Sequence, residues 1–265
     1  METIAEKVGR FLAQLGVKQA FGVVGSGNFV VTNAMRAAGI GFVASRHEGG
    51  AATMADAYAR MSGEVGVVTL HQGCGLTNAA TGIGEAAKSN TPMLVIAAEA
   101  ASAAIHSNFA MDQMAFARSV GAVPERVHSP ESALADTFRA FRTAANLKKT
   151  VVLNFPLDVQ SAESVAAKSI EDFQLSSLGG VVPNDAGVER LAEAITRSSR
   201  PVFIAGRGGR DAKSEILGLA KHVGALVATS AVAKGLFNED EFNIGISGGF
   251  SSPTTAELIQ NADLI

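Results

Sequence analysis

Two apolar patterns alternate along the first part of the chain and predict two kinds of element. Near the amino end, apolar residues recur every three or four positions, which predicts an amphipathic helix that ends at Gly16. Short continuous apolar runs follow, and because they do not alternate with polar residues they predict strands covered on both faces. The predicted strands are residues 20–24, 40–44, 65–70, 93–98 and 150–155, and the predicted helices include 4–15, 29–38 and 131–146.

Most of these strands are followed by a turn of small residues and then by a helix. Strands and helices that alternate at this spacing predict an α/β fold with a parallel, doubly wound sheet. In such a sheet the carboxyl ends of the strands share one edge, where ligands bind. The turns at that edge contain the candidate binding residues Gly25, Glu48, Gly73, Gly75 and Glu99.

A second α/β pattern begins near residue 185, after a stretch without clear periodicity. We predict a first domain over residues 1–160, a linker over 161–184 and part of a second domain over 185–265. The apolar run at 262–265 has the pattern of a strand that is starting. We therefore expect the chain to be the N-terminal part of a longer protein.

Composition excludes several classes of function. The net charge is −3 and there are no blocks of Lys or Arg, which argues against nucleic acid and membrane surfaces as partners. Cys74 has no second cysteine to pair with, so we expect a reducing, cytoplasmic environment. The charged amino-terminal segment is not a signal peptide, and no apolar run approaches the ~20 residues of a membrane span. The five histidines lack paired spacing, so no metal site built by protein side chains is predicted.

Two segments carry the candidate chemistry. Glu48 stands where a strand gives way to a helix of small residues, and a carboxylate there is predicted to be largely buried. A buried acid is paired, protonated or used in chemistry, and the structural alternative is a carboxylate that caps its own helix. In the second segment, His71, Gly73 and Gly75 follow a strand in a turn whose backbone amides can face a ligand. A histidine there is either a proton carrier or a satisfied core residue.

Together these motifs resemble the thiamine diphosphate (ThDP) enzymes of the acetohydroxyacid synthase, pyruvate oxidase and benzoylformate decarboxylase group. The resemblance rests on HE, a small-residue helix ending in AYAR, a VV strand and then GCGLTNAATGI. It extends from Ile4 to the last residue. It implies a pyrimidine-binding domain followed by a truncated, Rossmann-like central domain.

The resemblance also assigns roles to single residues. Glu48 matches the glutamate that contacts N1′ of the cofactor pyrimidine and so helps to remove the thiazolium C2 proton. Gly75 and Asn78 match positions close to the cofactor. Val24 stands where the family usually has proline, and together with Gly25 it matches the turn whose backbone lies near the pyrimidine.

His71 shifts the comparison toward the decarboxylases. Acetohydroxyacid synthases usually have Ser or Thr at this position, whereas benzoylformate decarboxylase has LHSAAGTGN, which resembles the LHQGCGLTN of this chain. We therefore predict that His71 transfers a proton. His106 lacks the paired histidine of pyruvate decarboxylases, and the Phe–Gln pair of the synthases is not preserved near Asn108. The predicted activity is decarboxylation or carboligation of a small 2-oxo acid.

Several expectations extend beyond this chain. The family holds the diphosphate through Mg²⁺ with a GDG motif, and no GDG occurs here, so the Mg²⁺ ligands are expected outside the chain. FAD is possible in the central domain, where Ala205 to Asp211 read AGRGGRD and lack the last glycine of a dinucleotide fingerprint. A homodimer or homotetramer is expected. The alternatives are one subunit of a split ThDP enzyme, or a non-catalytic regulatory module that binds a nucleotide near 206–209.

Overall fold

The computed structural model describes residues 1–164, 169–176 and 179–265, and the chain divides into two compact units. The first unit is Met1–Leu178 and the second is Gly179–Ile265. Parts of the predicted linker, residues 165–168 and 177–178, lie outside the described residues. The domain limits drawn from the sequence stay a prediction.

A six-stranded, fully parallel sheet forms the centre of the first unit, with the strand order β2-β1-β3-β4-β6-β5. Its strands are β1 (Gln19–Gly22), β2 (Gly41–Ala44), β3 (Gly66–Leu70), β4 (Met93–Glu99), β5 (Val123–Arg126) and β6 (Thr150–Pro156). The helices are α1 (Ile4–Gln14), α2 (Phe29–Ala37), α3 (Glu48–Ser62), α4 (Cys74–Asn78), α5 (Ala80–Lys88), α6 (Gln113–Ser119), α7 (Ala133–Leu147) and α8 (Leu157–Ser161). The predicted parallel α/β fold is confirmed.

Helices cover both faces of this sheet. Successive residues of β4 point to opposite faces, so that Leu94 and Ile96 join one apolar core while Met93 and Val95 join the other. The first core also contains side chains of α1, α2 and α7, and the second contains side chains of α3, α5 and α6. Because both faces are covered, the central strands are continuous apolar runs.

Small residues allow α3 to lie unusually close to its neighbours inside the chain. A Cβ added at Gly82 of α5 would lie 2.6 Å from Cβ of Ala52, and one added at Gly66 of β3 would lie 2.2 Å from the Ala55 carbonyl oxygen. Ala51, Ala52 and Ala55 are fully buried. The small residues of this segment therefore form a tight contact within the first unit.

Some elements differ from the sequence prediction. β5 and α6 were not predicted, because the β5 sequence VPER contains a proline and two charges and α6 is short. β1 ends at Gly22 rather than at residue 24, since the chain turns there toward Asn28. Within the predicted linker, Ile170 and Phe173 pack on Phe11 of α1 in an apolar cluster.

The second unit contains a three-stranded parallel sheet in the order β7-β8-β9. Its strands are β7 (Val202–Ala205), β8 (Leu226–Thr229) and β9 (Asn243–Ile246), and its helices are α9 (Asp185–Arg197), α10 (Lys213–Val223) and α11 (Pro253–Gln260). The N–H of Val202 also donates to the Leu264 carbonyl, so Leu264 runs parallel beside β7. Phe237 and Val227 lie at the centre of this unit's core.

Candidate active site

The strand order determines which predicted site residues come together. β1 pairs with β2 on one side and with β3 on the other. Glu48 follows β2, Gly25 follows β1, and His71 follows β3 directly. Because the strands are parallel, these three residues meet at the carboxyl edge of the sheet.

Glu48 is the first residue of α3 and is held by a side chain from another helix. Asn78, at the end of α4, donates from Nδ2 to Oε2 of Glu48 at 3.0 Å. His47 caps the same helix, because its Nδ1 accepts the Gly49 N–H at 3.0 Å. The Asn78 bond occupies one carboxylate oxygen of Glu48.

Glu48 is partly buried in this chain, so the expectation of a largely buried carboxylate stays a prediction. It opens its helix at the rim of the sheet, and complete burial begins only one turn later, at Ala51. A carboxylate at the rim keeps contact with solvent and with any ligand that binds at the edge.

The geometry of His71 fixes its tautomer. The Nδ1 atom lies 2.8 Å from the carbonyl oxygen of Gln72, which can only accept, so Nδ1 carries the proton of the neutral ring. The Nε2 atom lies 3.2 Å from Oγ of Ser26 and accepts from that hydroxyl. The ring of Phe109 meets the imidazole edge to face, with centroids 4.9 Å apart. His71 thus directs a proton-accepting nitrogen toward the β1 turn.

Glycines bring the turns close together at this site. A Cβ at Gly25 would lie 2.5 Å from Cδ2 of His71, so only glycine permits this approach. A Cβ at Gly75 would lie 2.9 Å from Cβ of His71 and 3.5 Å from Oε1 of Glu48. Gly75 therefore lets the start of α4 pack closely against both the imidazole and the carboxylate.

The β1 turn is held by a buried asparagine. Asn28 accepts the Gly25 N–H at Oδ1 at 2.8 Å and donates from Nδ2 to the Val23 carbonyl and to Thr69. The Gly25 amide hydrogen is thus already bonded within the turn. Val24 is 45% exposed and stands at the outer side of the turn.

Sequence reasoning missed three residues that shape the site. Ser26 lies between two glycines of the β1 turn, and no feature of the sequence indicates that its hydroxyl contacts His71. Phe109 lies in the irregular segment after β4, and Gln113 begins the unpredicted helix α6 and bonds to Gly73. No sequence pattern connects residues so far apart in the chain, and only the order of the strands brings them together.

The glycine segment of the second unit forms a 3-10 helix, Arg207–Ala212, between β7 and α10. A Cβ at Gly209 would lie 3.2 Å from Cβ of Ala205 and from Cδ1 of Ile216, so this glycine serves the packing of the strand against the helix. The segment is a tight connection between the strand and the helix.

The described part of the chain has neither a cluster of metal-binding side chains nor a membrane-spanning helix. Within 1–164, 169–176 and 179–265, no group of three or more His, Cys, Asp and Glu side chains converges as a metal site. No helix in that part of the chain is both long and apolar enough to cross a membrane.

A parallel α/β unit with a carboxylate, a histidine and two glycine turns at its carboxyl edge defines a ligand-binding domain of the doubly wound class. Two models of known protein families match this chain. The N-terminal TPP-binding domain of thiamine pyrophosphate enzymes matches residues 2–118, and the central domain of the same enzymes matches residues 188–265. The chain belongs to the thiamine pyrophosphate (ThDP) enzyme family, as its motifs indicated.

The names of similar curated proteins refer to several different reactions. A probable 2-ketoarginine decarboxylase of Pseudomonas aeruginosa is 32% identical over 99% of this chain and 48% of its own length. A probable acetolactate synthase large subunit of Methanocaldococcus jannaschii is 29% identical, over 98% of this chain and 46% of its own length. A sulfoacetaldehyde acetyltransferase of Rhodobacter capsulatus is 27% identical over 99% of this chain and 45% of its own length. The chain spans about half the length of these curated relatives.

Proposed function

We propose that this chain forms the pyrimidine-facing part of a ThDP-dependent enzyme that decarboxylates or carboligates a small 2-oxo acid. The observation that carries the proposal is the placement of Glu48 at the carboxyl edge of the sheet, where Asn78 holds one of its oxygens and the other lies beside Gly75 and His71. The names of the relatives support the same class of reaction.

The residues present fit an aminopyrimidine. Such a ring needs a carboxyl group that can exchange a proton, and Glu48 supplies it at the carboxyl edge of the sheet. Any side chain at position 75 would crowd Glu48 and His71, so Gly75 permits these two residues to lie side by side there. The turn at Gly25 also lies close to the His71 ring.

When bound, ThDP supplies the electron sink that makes loss of carbon dioxide from a 2-oxo acid possible. The chain's own contribution is positioning and proton transfer. Oε1 of Glu48 takes or gives a proton at the cofactor side, and the Asn78 amide fixes the carboxylate plane through Oε2. The half-buried rim position keeps this carboxyl group in exchange with solvent protons.

His71 acts on the substrate side in this proposal. Its Nδ1–H is directed to the Gln72 carbonyl, so Nε2 is the atom that gains and releases a proton. The Ser26 hydroxyl donates to Nε2 in the neutral ring and accepts from it once the ring is protonated. Phe109 limits the movement of the ring.

The finer parts of the proposal rest on the family resemblance. Mg²⁺ accompanies the diphosphate, with its ligands outside this chain, and the working enzyme is a homodimer or homotetramer. The single cysteine supports a cytoplasmic location. Both aldehyde release and carboligation belong to the proposal, because relatives of both kinds are similar to this chain. FAD is not part of it, since no observation favours it.

Calorimetry of the complete natural protein with ThDP and Mg²⁺ tests the cofactor assignment. We expect saturable binding together with turnover of a 2-oxo acid. Failure to bind ThDP, combined with binding of an adenine nucleotide, would establish the alternative of a regulatory module.

The role of His71 has its own test. In His71→Ala we expect loss of substrate turnover with retention of hydrogen exchange at C2 of the bound cofactor, because Glu48 remains in place. Unchanged steady-state kinetics would remove His71 from the mechanism.

A further inference from the structure

Buried carboxamide side chains lie beneath the turns of the candidate active site. Five are at most 3% exposed within the described residues, and four of them bond to the turns at the carboxyl edge or to one another. They are Asn28, Gln72, Gln113, Asn154 and Gln160. Because they carry no charge at any ordinary pH, they can hold backbone groups without the cost of burying an ion.

Gln113 is the carboxamide most completely bonded to its surroundings. Its Oε1 accepts the Gly73 N–H at 2.9 Å, and its Nε2 donates to the Ala98 carbonyl at 2.9 Å and to Oδ1 of Asn154 at 2.7 Å. The reversed amide would turn its oxygen toward the Ala98 carbonyl and its NH2 toward an N–H. The orientation is therefore fixed by the chemistry of the partners.

Asn154 extends this arrangement across the sheet. Its Nδ2 donates to the Glu125 carbonyl of β5 at 3.2 Å, while its Oδ1 accepts from Gln113. Ala98 belongs to β4 and Asn154 to β6, which lie next to each other in the sheet. A continuous chain of hydrogen bonds thus runs from β5 through β6 and β4 to the turn that follows β3.

The turn at the end of this chain has a backbone that needs support. Gly73 has φ +61° and ψ −108°, a conformation that other residues rarely adopt, and it caps α4 without a side-chain hydrogen bond of its own. It lies between His71 and Gly75, which pack against each other, and Gly75 also lies beside Glu48. The Gln113 bond holds the Gly73 backbone within this turn.

We propose that Gln113 is a positioning residue for the cofactor-facing turn, and that it acts on the reaction through the Gly73 backbone. The proposal rests on the proposed function for its catalytic consequence. Its structural part, a turn held by a buried neutral amide, stands on the hydrogen bonds alone.

Two variants of Gln113 in the complete protein test this role. Gln113→Leu keeps a side chain of similar volume but removes all three hydrogen bonds. We expect hydrogen–deuterium exchange to show lost protection in the peptide that covers residues 71–78, with or without cofactor. With ThDP and a 2-oxo acid, we expect kcat to fall on the order of ten- to a hundredfold with a smaller change in KM, since small displacements of catalytic groups are costly.

Gln113→Glu adds a readout that a purely structural role would not produce. An ionised carboxylate at this place would turn an oxygen toward the Ala98 carbonyl and Asn154, whereas the protonated acid can donate one of the lost bonds. We expect kcat of this variant, relative to the unaltered protein, to recover as the pH is lowered. A constant ratio across the pH range would contradict the proposal, and this test decides the matter if Gln113→Leu does not fold.

Thr150→Val is the matched control. Thr150 is 2% exposed and donates to the Thr91 carbonyl at 3.0 Å, at the opposite, amino-terminal edge of the same sheet. We expect this variant to lose stability while it keeps protection of residues 71–78 and its kcat. If the Leu variant folds with protection and kcat within about twofold of the unaltered protein, or if Thr150→Val loses as much, the proposal is wrong.

These outcomes are separable from a failure of the proposed function. Exchange in residues 71–78 is measured without cofactor or substrate, so it tests the Gln113 bond even if the protein has another activity. Conversely, if Glu48→Gln leaves turnover intact, the function is wrong while the exchange result still decides the role of Gln113 in the turn.

Discussion

Glu48 and His71, the two residues with proposed chemical roles, are held in different ways. Glu48 has one side-chain bond, from Asn78, and an open second oxygen. His71 is fixed by a carbonyl at one nitrogen, a hydroxyl at the other and an aromatic ring at its edge. A proton carrier benefits from a fixed tautomer, and a carboxyl group that meets a ligand benefits from one free oxygen.

Ser26→Ala tests the contact with the imidazole. Loss of the hydroxyl leaves Nε2 without its protein partner, and one neutral hydrogen bond of about 0.5–1.5 kcal/mol corresponds to a fall in turnover of roughly two- to twelvefold. The fall should be seen in kcat. Ser161→Ala, which removes a hydroxyl bonded to the Leu157 carbonyl in α8, is the control and should be neutral. Equal kinetics for both variants would show that Ser26 has no part in the reaction.

Among the elements, the contact between α3 and α5 positions Glu48 most directly. α3 begins with Glu48, and it lies against α5 because Gly82 leaves room for Ala52. Interior packing of this density tolerates little added volume. The spacing of these two helices therefore fixes where the carboxylate enters the site.

Two glycines of α5 provide a matched pair of substitutions. Gly82→Ala would place a methyl group 2.6 Å from Cβ of Ala52, and we expect it to lower the free energy of unfolding by about 1–3 kcal/mol. In Gly84→Ala the added Cβ has no contact closer than 3.8 Å, so the better helix propensity should raise the free energy of unfolding by about 0.4–1 kcal/mol. Urea unfolding measures both changes, and equal effects would contradict the close packing of α3 on α5.

At the scale of the whole molecule, each unit contains a carboxyl group whose pKa lies below its usual range. In the first unit, burial raises the pKa of Asp136, but hydrogen bonds from the His128 N–H, Ser132 and Arg139 outweigh it and lower the pKa. In the second unit, the Ser198 hydroxyl and the N–H groups of the next two residues lower the pKa of Asp263 to about 2.

The sign of the resulting pH dependence follows from these directions. A carboxyl group with a lowered folded pKa stabilises the folded state above its unfolded pKa of about 3.9, and that contribution is lost as the pH falls through the folded value. We expect Asp136→Asn to reduce the acid sensitivity of the first unit only, and Asp263→Asn that of the second only. Hydrogen exchange resolved by peptide between pH 5 and about pH 2 measures this; a change in the other unit would contradict the assignment.

The central part of the fold could be predicted from the sequence, whereas the hydrogen bonds that connect the candidate site residues could not. β3, β4 and β6 are predictable because burial on both faces requires continuous apolar runs. β5 was not, since four residues with a proline and two charges at the sheet border need no such run. The motifs pointed to Glu48, His71, Gly75 and Asn78, whose roles stay predictions, whereas the degree of burial of Glu48 depends on where its helix starts relative to the sheet edge. The Gln113–Gly73 bond spans 40 positions and has no local signal.

The central claim, that Glu48 activates ThDP, is tested most directly by hydrogen–deuterium exchange at C2 of the cofactor bound to the complete protein. In Glu48→Gln we expect ThDP to bind, the fold to persist and the exchange rate to fall by about a hundredfold or more, because the amide cannot carry the proton that the carboxyl group transfers. Exchange at the rate of the unaltered protein, with ThDP bound, would contradict the assignment of Glu48.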